Sequence, residues 1–313
     1  MIDQAENLRS IMRAKQGSGE PPVTPEPLIS VYEPAAESEP APKPALTSRL
    51  ITVTSGKGGV GKTNFTINLA LSLAKTGKRV IVMDADFGLA NIEVLLGIIP
   101  KYSLADVLSG RREVAEAITE GPLGVKFLSG GSGLREMANI TGGQIAGVID
   151  RFAYLDSISD VILIDTGAGI TDSVINFIKA SGESIIITTP EPTSITDAYA
   201  VIKASREESD TLPSMKLVVN RVDDPSEGEE VFAKLSKVSK RFLNIDLISL
   251  GSIPYDSNLV RAVKRQQPVI ISYPDTAASK AITHITNRLF DVSLSGEPRG
   301  IMGFMTRFVR VFK

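Results

Sequence analysis

Cysteine is absent from the 313 residues. That one absence excludes disulfides, thiolate metal sites, cysteine-held iron–sulfur clusters and cysteine nucleophiles together. Histidine is almost absent too. The one copy, His284, falls late in the chain in a stretch with helical spacing, where a lone imidazole is expected to be a surface or packing residue rather than a catalyst. Excess charge of either sign is missing as well: 34 Lys+Arg face 36 Asp+Glu, a net of −2, so nothing in the overall balance draws the chain to nucleic acid. No apolar run reaches the roughly 18 residues that a bilayer span needs. No apolar run near Met1 resembles a secretory leader, so the expected location is the cytoplasm. What is present is a 42% hydrophobic fraction, enough for a sizeable core in one large domain or two modest ones.

Four zones follow one another. In residues 1–15, Ile2, Ala5, Leu8 and Met12 recur three or four apart, which predicts a one-sided helix. Asp3 lies near its start, where a carboxylate suits the helix dipole. Residues 16–48 carry Pro21, Pro22, Pro25, Pro27, Pro34, Pro40, Pro42 and Pro44 among Glu20, Glu26, Glu33, Glu37 and Glu39. The prolines interrupt any helix or central strand and the carboxylates repel, so this zone is expected to be an extended, disordered linker. Residues 49–293 alternate short apolar runs ("LITVTS", "RVIVMDA", "VKFLS", "VILIDT", "SIIITT", "KLVVNR", "LISLGSI") with helix-spaced stretches such as "TNFTINLALSLAKTG" and "SITDAYAVIKAS". Continuous apolar runs suit strands buried on both faces. Their alternation with helices predicts an α/β fold, a mostly parallel sheet with helices on both faces and ligands at the carboxyl ends of the strands. Residues 294–313 end the chain.

"TSGKGGVGKTN", residues 54–64, follows the first apolar run and contains the full P-loop pattern in Gly56, Gly61, Lys62 and Thr63. The glycines, Gly58 and Gly59 among them, let the backbone curl so that N–H groups from Gly58 through Val60 to Asn64 face phosphate oxygens. The following helix adds its positive end. Lys62 is placed for the β- and γ-phosphates of ATP, and the Thr63 hydroxyl for Mg2+. A second lysine, Lys57, stands in the same loop; it either extends into solvent or reaches another nucleotide. Asp84 and Asp86 end one apolar run and Asp165 another. One such Asp is often a helix cap. Three of them at two strand ends beside a P-loop suit magnesium and water.

"KGGVGKT" resembles the deviant Walker A motif of the MinD/ParA/Get-type ATPases. The resemblance implies an ATP-bound homodimer in which Lys57 crosses to the partner's nucleotide. It also implies that Asp86 orients the attacking water, that Asp84 assists near magnesium, and that Asp165 holds a magnesium-bound water. It places Asn220 and Arg221 of "VVNR", with Pro254 and Asp256 of "IPYD", around the adenine. "DADFGLANIEVLLG", "EPTSITDAYAVIK" and "GSIPYD" narrow the resemblance to the FlhG/FleN family of flagellar-number ATPases. "DQAENLR" fits that family's N-terminal pattern in Asp3, Gln4, Ala5, Leu8 and Arg9. This implies that the short helix stimulates FlhF, a signal-recognition-type GTPase, with the linker keeping it free to search. Flagellar switch-complex proteins and a flagellar transcriptional activator are further implied partners. Two departures lean away from MinD: "DTGAG" lacks MinD's proline near Gly167, and Ala90 stands where MinD has arginine.

On a helical wheel Ile301, Met302, Phe304, Met305, Phe308, Val309, Val311 and Phe312 share one half, while Gly303, Thr306, Arg307, Arg310 and Lys313 share the other. Such a helix lies on a membrane surface with its basic face toward anionic lipids, or packs on the domain or on a partner. The membrane reading is preferred, since little chain follows to cover the apolar face, and it places the chain peripherally on the inner face of the cell membrane, at a pole. The rivals are a MinD-like division-site ATPase, a non-hydrolysing ATP-bound scaffold and a ParA-like DNA-partitioning protein. The last would bind DNA with strong salt dependence, and neither the balanced charge nor the tail favours it. The missing cysteines exclude iron–sulfur carriers.

Overall fold

The computed structural model describes residues 48–86, 91–130, 152–209, 211–291 and 300–311. Its centre is built from the apolar runs. Strands β1 (Arg49–Ser55), β2 (Val80–Ala85), β3 (Ile118–Glu120), β4 (Lys126–Leu128), β5 (Val161–Ala168), β6 (Glu183–Thr188), β7 (Ser214–Val222) and β8 (Ile248–Pro254) form one sheet in the order β3-β4-β2-β5-β1-β6-β7-β8. In β2 and β6 every residue is buried, as expected where helices cover both faces. All neighbours run parallel except β3 and β4. β4 falls within the expected run "VKFLS", and the antiparallel β3 is the addition to it. β3 spans only three residues, too few to show a period.

The chain runs outward from β1 in both directions, so the carboxyl ends of β1 and β5 flank the crevice where such sheets bind ligands. β2 and β5 are neighbours in a register that sets Asp84 directly beside Asp165. Both strands alternate, and Val82 and Leu163, two residues before each Asp, lie in the core of one face. The two carboxylates therefore point to that same face. It is covered by α1 (Lys62–Lys75) and, farther on, by α9 (Ser257–Lys264), α10 (Val269–Ser272) and α11 (Ala277–Asp291). α2 (Asn91–Leu96) packs at its edge.

The opposite face carries α3 (Leu104–Leu108), α4 (Val114–Ala117), α5 (152–158), α6 (Asp172–Ala180), α7 (Pro192–Glu207) and α8 (Pro225–Leu243). α8 shows why the helices stop and start where they do. Pro225 opens it, the Asp224 carboxylate accepts from Ser226 and Glu227 backbone N–H, and Asn244 closes it in the left-handed region at φ 53°. At the end of the sheet away from the P-loop, Glu183 of β6 accepts from Arg49 of β1 at 2.5 and 2.7 Å and from Lys216 of β7 at 2.6 Å. Burial alone would raise the Glu183 pKa, but the Arg49 guanidinium and the Lys216 ammonium hold it below the usual carboxylate range.

The last helix, α12 (Ile301–Val311), corrects one expectation. Its apolar face does not lie open: Ile301, Phe304, Met305 and Phe308 are buried against the domain, and Met302 packs at the edge of the same cluster. The Phe308 and Phe304 rings lie 4.6 and 5.9 Å from Phe177 of α6 and 5.4 Å from each other. Arg307, expected on the lipid-facing polar side, donates to the Ala180 carbonyl at the end of α6. A helical wheel reports that one face is apolar and is silent on whether lipid or protein meets it, and here α6 does. Val309 and Val311 lie in this helix, and Phe312 lies outside the described residues, as do the helix expected at 1–15 and the linker up to residue 47. Ser48, assigned to that linker, is 1% exposed and belongs to the fold.

Candidate nucleotide site

The loop from β1 to α1 needs its glycines for different reasons. Gly59 and Gly61 take φ of 79° and 95°, the left-handed region that Gly enters without strain. A Cβ on Gly61 would lie 2.5 Å from Asn220 Nδ2. At Gly56 a Cβ would lie 2.2 Å from the backbone of Asp197, so the start of the loop is pressed against α7. Gly58 and Gly59 instead have nothing within 4 Å of the Cβ position, which leaves the inner side of the curl open. A cavity of about 770 Å³ opens there, with Gly58, Gly59, Gly61, Lys62, Thr63 and Asn64 along it and Asn220, Arg221, Pro254 and Asp256 to one side. The Val60 side chain is buried in the core, which leaves its backbone as the part that can face the cavity.

At the floor, Lys62 Nζ lies 3.0 Å from Asp165 Oδ1 and 3.5 Å from Thr63 Oγ1, and Thr66 donates to the same Asp165 oxygen at 3.0 Å. Asp84 Oδ1 accepts the Asp86 backbone N–H at 3.0 Å. Asp84 Oδ2 and Asp165 Oδ2 are buried with no hydrogen-bond partner among the described residues. Burial, with the neighbouring Asp165 charge adding to it, pushes the Asp84 carboxyl up to about 7. Asp86 is half-buried, and its Oδ1 lies 3.7 Å from the Cβ position of Gly167, near the carboxyl end of β5. Two orphaned carboxylate oxygens beside a threonine hydroxyl and a phosphate loop are the donor set that magnesium takes through its waters. Among the described residues no cluster of three acidic or imidazole groups forms an all-protein metal cage. The residues present therefore fit a cation shared with a nucleotide's phosphates.

Lys57 differs from Lys62 in every respect. Its side chain is 40% exposed against 8%, and it points away from the floor to Glu191 Oε2 at 3.1 Å and Thr193 Oγ1 at 3.0 Å, at the start of α7. These two partners were not anticipated, because nothing in "EPTSITD" marks them as acceptors before the fold brings α7 to the loop.

On the expected base side, one residue has a second role. The Asp256 carboxylate lines the cavity but is engaged by backbone: it accepts from Asn258 at 2.8 Å and Ala278 at 3.2 Å, capping α9 and reaching the first turn of α11. Burial opposes its charge, and these N–H bonds outweigh burial and lower its pKa. Asn220 clamps the loop, its Nδ2 donating to the Val60 carbonyl at 2.7 Å and its Oδ1 accepting Arg221 N–H at 3.0 Å, with Arg221 at φ 60°. The cavity also has apolar walls that the motif reading missed, from Val94 and Leu95 of α2 and Leu259, Val260 and Val263 of α9. The one-sided spacing just after "IPYD" was the available signal. Asp3, Gln4, Ala5, Leu8, Arg9 and the 87–90 segment lie outside the described residues.

Comparison with known proteins agrees with this geometry. Residues 47–290 match the ParA family described as "NUBPL iron-transfer P-loop NTPase". The chain is 43% identical over 256 residues to the antiactivator FleN of Pseudomonas aeruginosa, covering 82% of this chain and 91% of that protein. It is 36% identical to the flagellum site-determining protein YlxH of Helicobacter pylori, covering 84% and 90%. Among solved structures, the MinC:MinD cell division protein complex of Aquifex aeolicus matches with TM-score 0.61 at 28% identity, covering 80% of this chain and 98% of that one. MinD of Pyrococcus horikoshii, complexed with Mg-ADP, matches with TM-score 0.62 at 25% identity, covering 77% and 96%.

Proposed function

The chain belongs to the ParA/MinD family of P-loop NTPases, in the branch that contains FleN, and from that premise we propose that it is an Mg-dependent ATPase that dimerises on ATP and sets the number and placement of flagella. The observation that carries the reading is the division of labour between two lysines on one loop: Lys62 faces its own buried site, while Lys57 faces outward. A lysine that leaves Glu191 and Thr193 is free to meet a phosphate on a second copy. The iron-transfer part of the family description does not carry over, because the chain has no cysteine to hold iron–sulfur.

In this mechanism the loop N–H groups and Lys62 take the phosphate charge, with Lys62 exchanging Asp165 for the nucleotide. Thr63, Asp84 and Asp165 would hold magnesium, the carboxylates through water; the cation when bound offsets phosphate charge. Asp86 orients the water that attacks the γ-phosphorus, the bond to the β-phosphate oxygen breaks, and ADP and phosphate leave. Asn220 and Arg221 meet the base between the apolar walls of α2 and α9.

The ends of the chain serve partners. α6 begins just past the loop that follows Asp165, and α12 rests on α6. ATP-driven change in that loop would loosen α12, which then binds anionic lipid on the inner face of the cell membrane, at a pole. One such helix binds marginally and two on a dimer bind firmly. The helix at Asp3, Gln4, Ala5, Leu8 and Arg9 would stimulate the FlhF GTPase, and switch-complex proteins or a flagellar activator would engage the body.

The test combines sedimentation with single-turnover hydrolysis and flagellar counts. Wild type is expected to dimerise with ATP and not with ADP, Lys57→Ala to stay monomeric, and Asp86→Ala to dimerise without turnover. A strain lacking the gene should show excess or misplaced flagella. Unchanged flagella with minicells would move the protein to division-site control, and dimerisation without hydrolysis by wild type would make it a scaffold.

A further inference from the structure

The first four N–H groups of a helix have no partners inside it. α12 solves this with a residue from elsewhere. Asp156 of α5 accepts from Ile301 N at 3.0 Å and Met302 N at 3.5 Å. The residue before the helix is Gly300, where a Cβ would lie 2.7 Å from the Asp156 carboxylate. A negative group at this end also suits the helix dipole. The same carboxylate has a second tenant: Ser48 donates to Asp156 Oδ1 from its backbone N at 3.3 Å and from its Oγ. Asp156, Ser48 and Ile301 are 7%, 1% and 0% exposed, so water does not replace a lost donor at little cost.

Ser48 is the residue through which the N-terminal 47 residues join β1, and Ile301 opens the C-terminal helix. We propose that Asp156 is a shared cap that couples the two ends of the chain: the seat of Ser48 steadies the carboxylate that caps α12, and load on the N-terminal segment is felt as looser docking of the C-terminal helix. A buried carboxylate keeps its orientation through its donors, and removing the Ser48 hydroxyl, which leaves only the backbone N–H at 3.3 Å, lets it turn away from Ile301. Coupling of this kind is reciprocal, so undocking α12 also loosens Ser48. If α12 is a lipid-binding helix, as the functional reading has it, a partner pulling on the N-terminal segment helps to release it. The coupling itself does not depend on that reading.

The test is hydrogen exchange in the full chain without nucleotide, read on a peptide covering 300–308 with β6 as the internal reference. Ser48→Ala is expected to speed exchange at 300–308 about fivefold, the effect of one hydrogen bond of typical net strength, with β6 unchanged. Ser48→Thr, which keeps the hydroxyl, should restore the wild-type rate. In an Asp156→Asn background, already faster, Ser48→Ala should add nothing. Wild-type exchange in Ser48→Ala overturns the proposal, as does an equal acceleration by Ser48→Ala in both backgrounds. Vesicle flotation with anionic lipid serves as a separate arm: coupled exchange without flotation keeps the shared cap and rejects the lipid reading.

Discussion

Removing the charge of Asp84 by Asp84→Asn should remove a fall in this protein's stability that accompanies rising pH. Asp84 is 3% exposed, stands beside Asp165 in the ladder, and leaves Oδ2 without a donor among the described residues. Burial first, and the Asp165 charge second, raise its pKa from 3.8 to about 7. The folded chain therefore holds this proton more tightly than the unfolded chain. The stability it contributes is complete below the unfolded value and is lost as pH rises through the folded one. At ~1.4 kcal/mol per tenfold change in proton affinity, the loss between about pH 5 and pH 8 is ~3 kcal/mol. An amide at 84 keeps the acceptor for the Asp86 N–H and has no proton to lose, so the variant lacks this slope. Urea unfolding of nucleotide-free protein in chelator, at four pH values across that range, measures it. The variant should gain on wild type steadily, by ~3 kcal/mol between pH 5 and pH 8. Parallel profiles would refute the reasoning, because the two carboxylates would then not be in contention. Magnesium with nucleotide should stabilise wild type more than the variant at the alkaline end, since only wild type has repulsion to relieve.

Two further outcomes test other parts of the structure. Gly61→Ala places a methyl 2.5 Å from Asn220 Nδ2 at φ 95°, so it should lower stability by ~1–3 kcal/mol and abolish binding of a fluorescent ATP analogue, whereas Gly58→Ala, with open space, should cost under about 1 kcal/mol. Phe308→Ala removes a fully buried ring from the Phe177 cluster at a cost of ~3–5 kcal/mol. Because that loss falls on the docking of α12, trypsin should cut after Arg307 much faster while far-UV dichroism of the body holds.

The parts of the fold that could be read from sequence were those with a local physical cause. Runs such as "VIVM" and "VILI" are apolar throughout because helices cover both faces, and with the Asp that follows each they matched β2 and β5. The P-loop was legible because glycine enters φ of 79° and 95° without strain, and the pattern sets Gly59 and Gly61 on either side of Val60 where the loop needs those angles. What escaped depends on neighbours distant in sequence. The edge strand β3 is held by its pairing with β4 rather than by pattern. Glu191 becomes the partner of Lys57 only once α7 is pressed on Gly56. Asp256, expected beside the base, lines the cavity and also caps α9, a second role that depends on where the next helix begins. The tail's face was read correctly as apolar, yet its occupant, Phe177, lies more than a hundred residues upstream.

The pairing of β2 with β5 has a consequence for how such a chain can change over generations. Asp84 and Asp165 are opposite one another on the ladder and share a face only while both strands keep their phase. One residue inserted within Val80–Met83 or Val161–Ile164 sends one carboxylate to the far side of the sheet, beneath α6. Residues added beyond Lys126 on the edge, or after Asp291 before the last helix, leave that phase untouched. Insertions at the edge of the sheet and near the two ends of the chain are thus expected to be tolerated, and those within the two strands that carry the carboxylates are not.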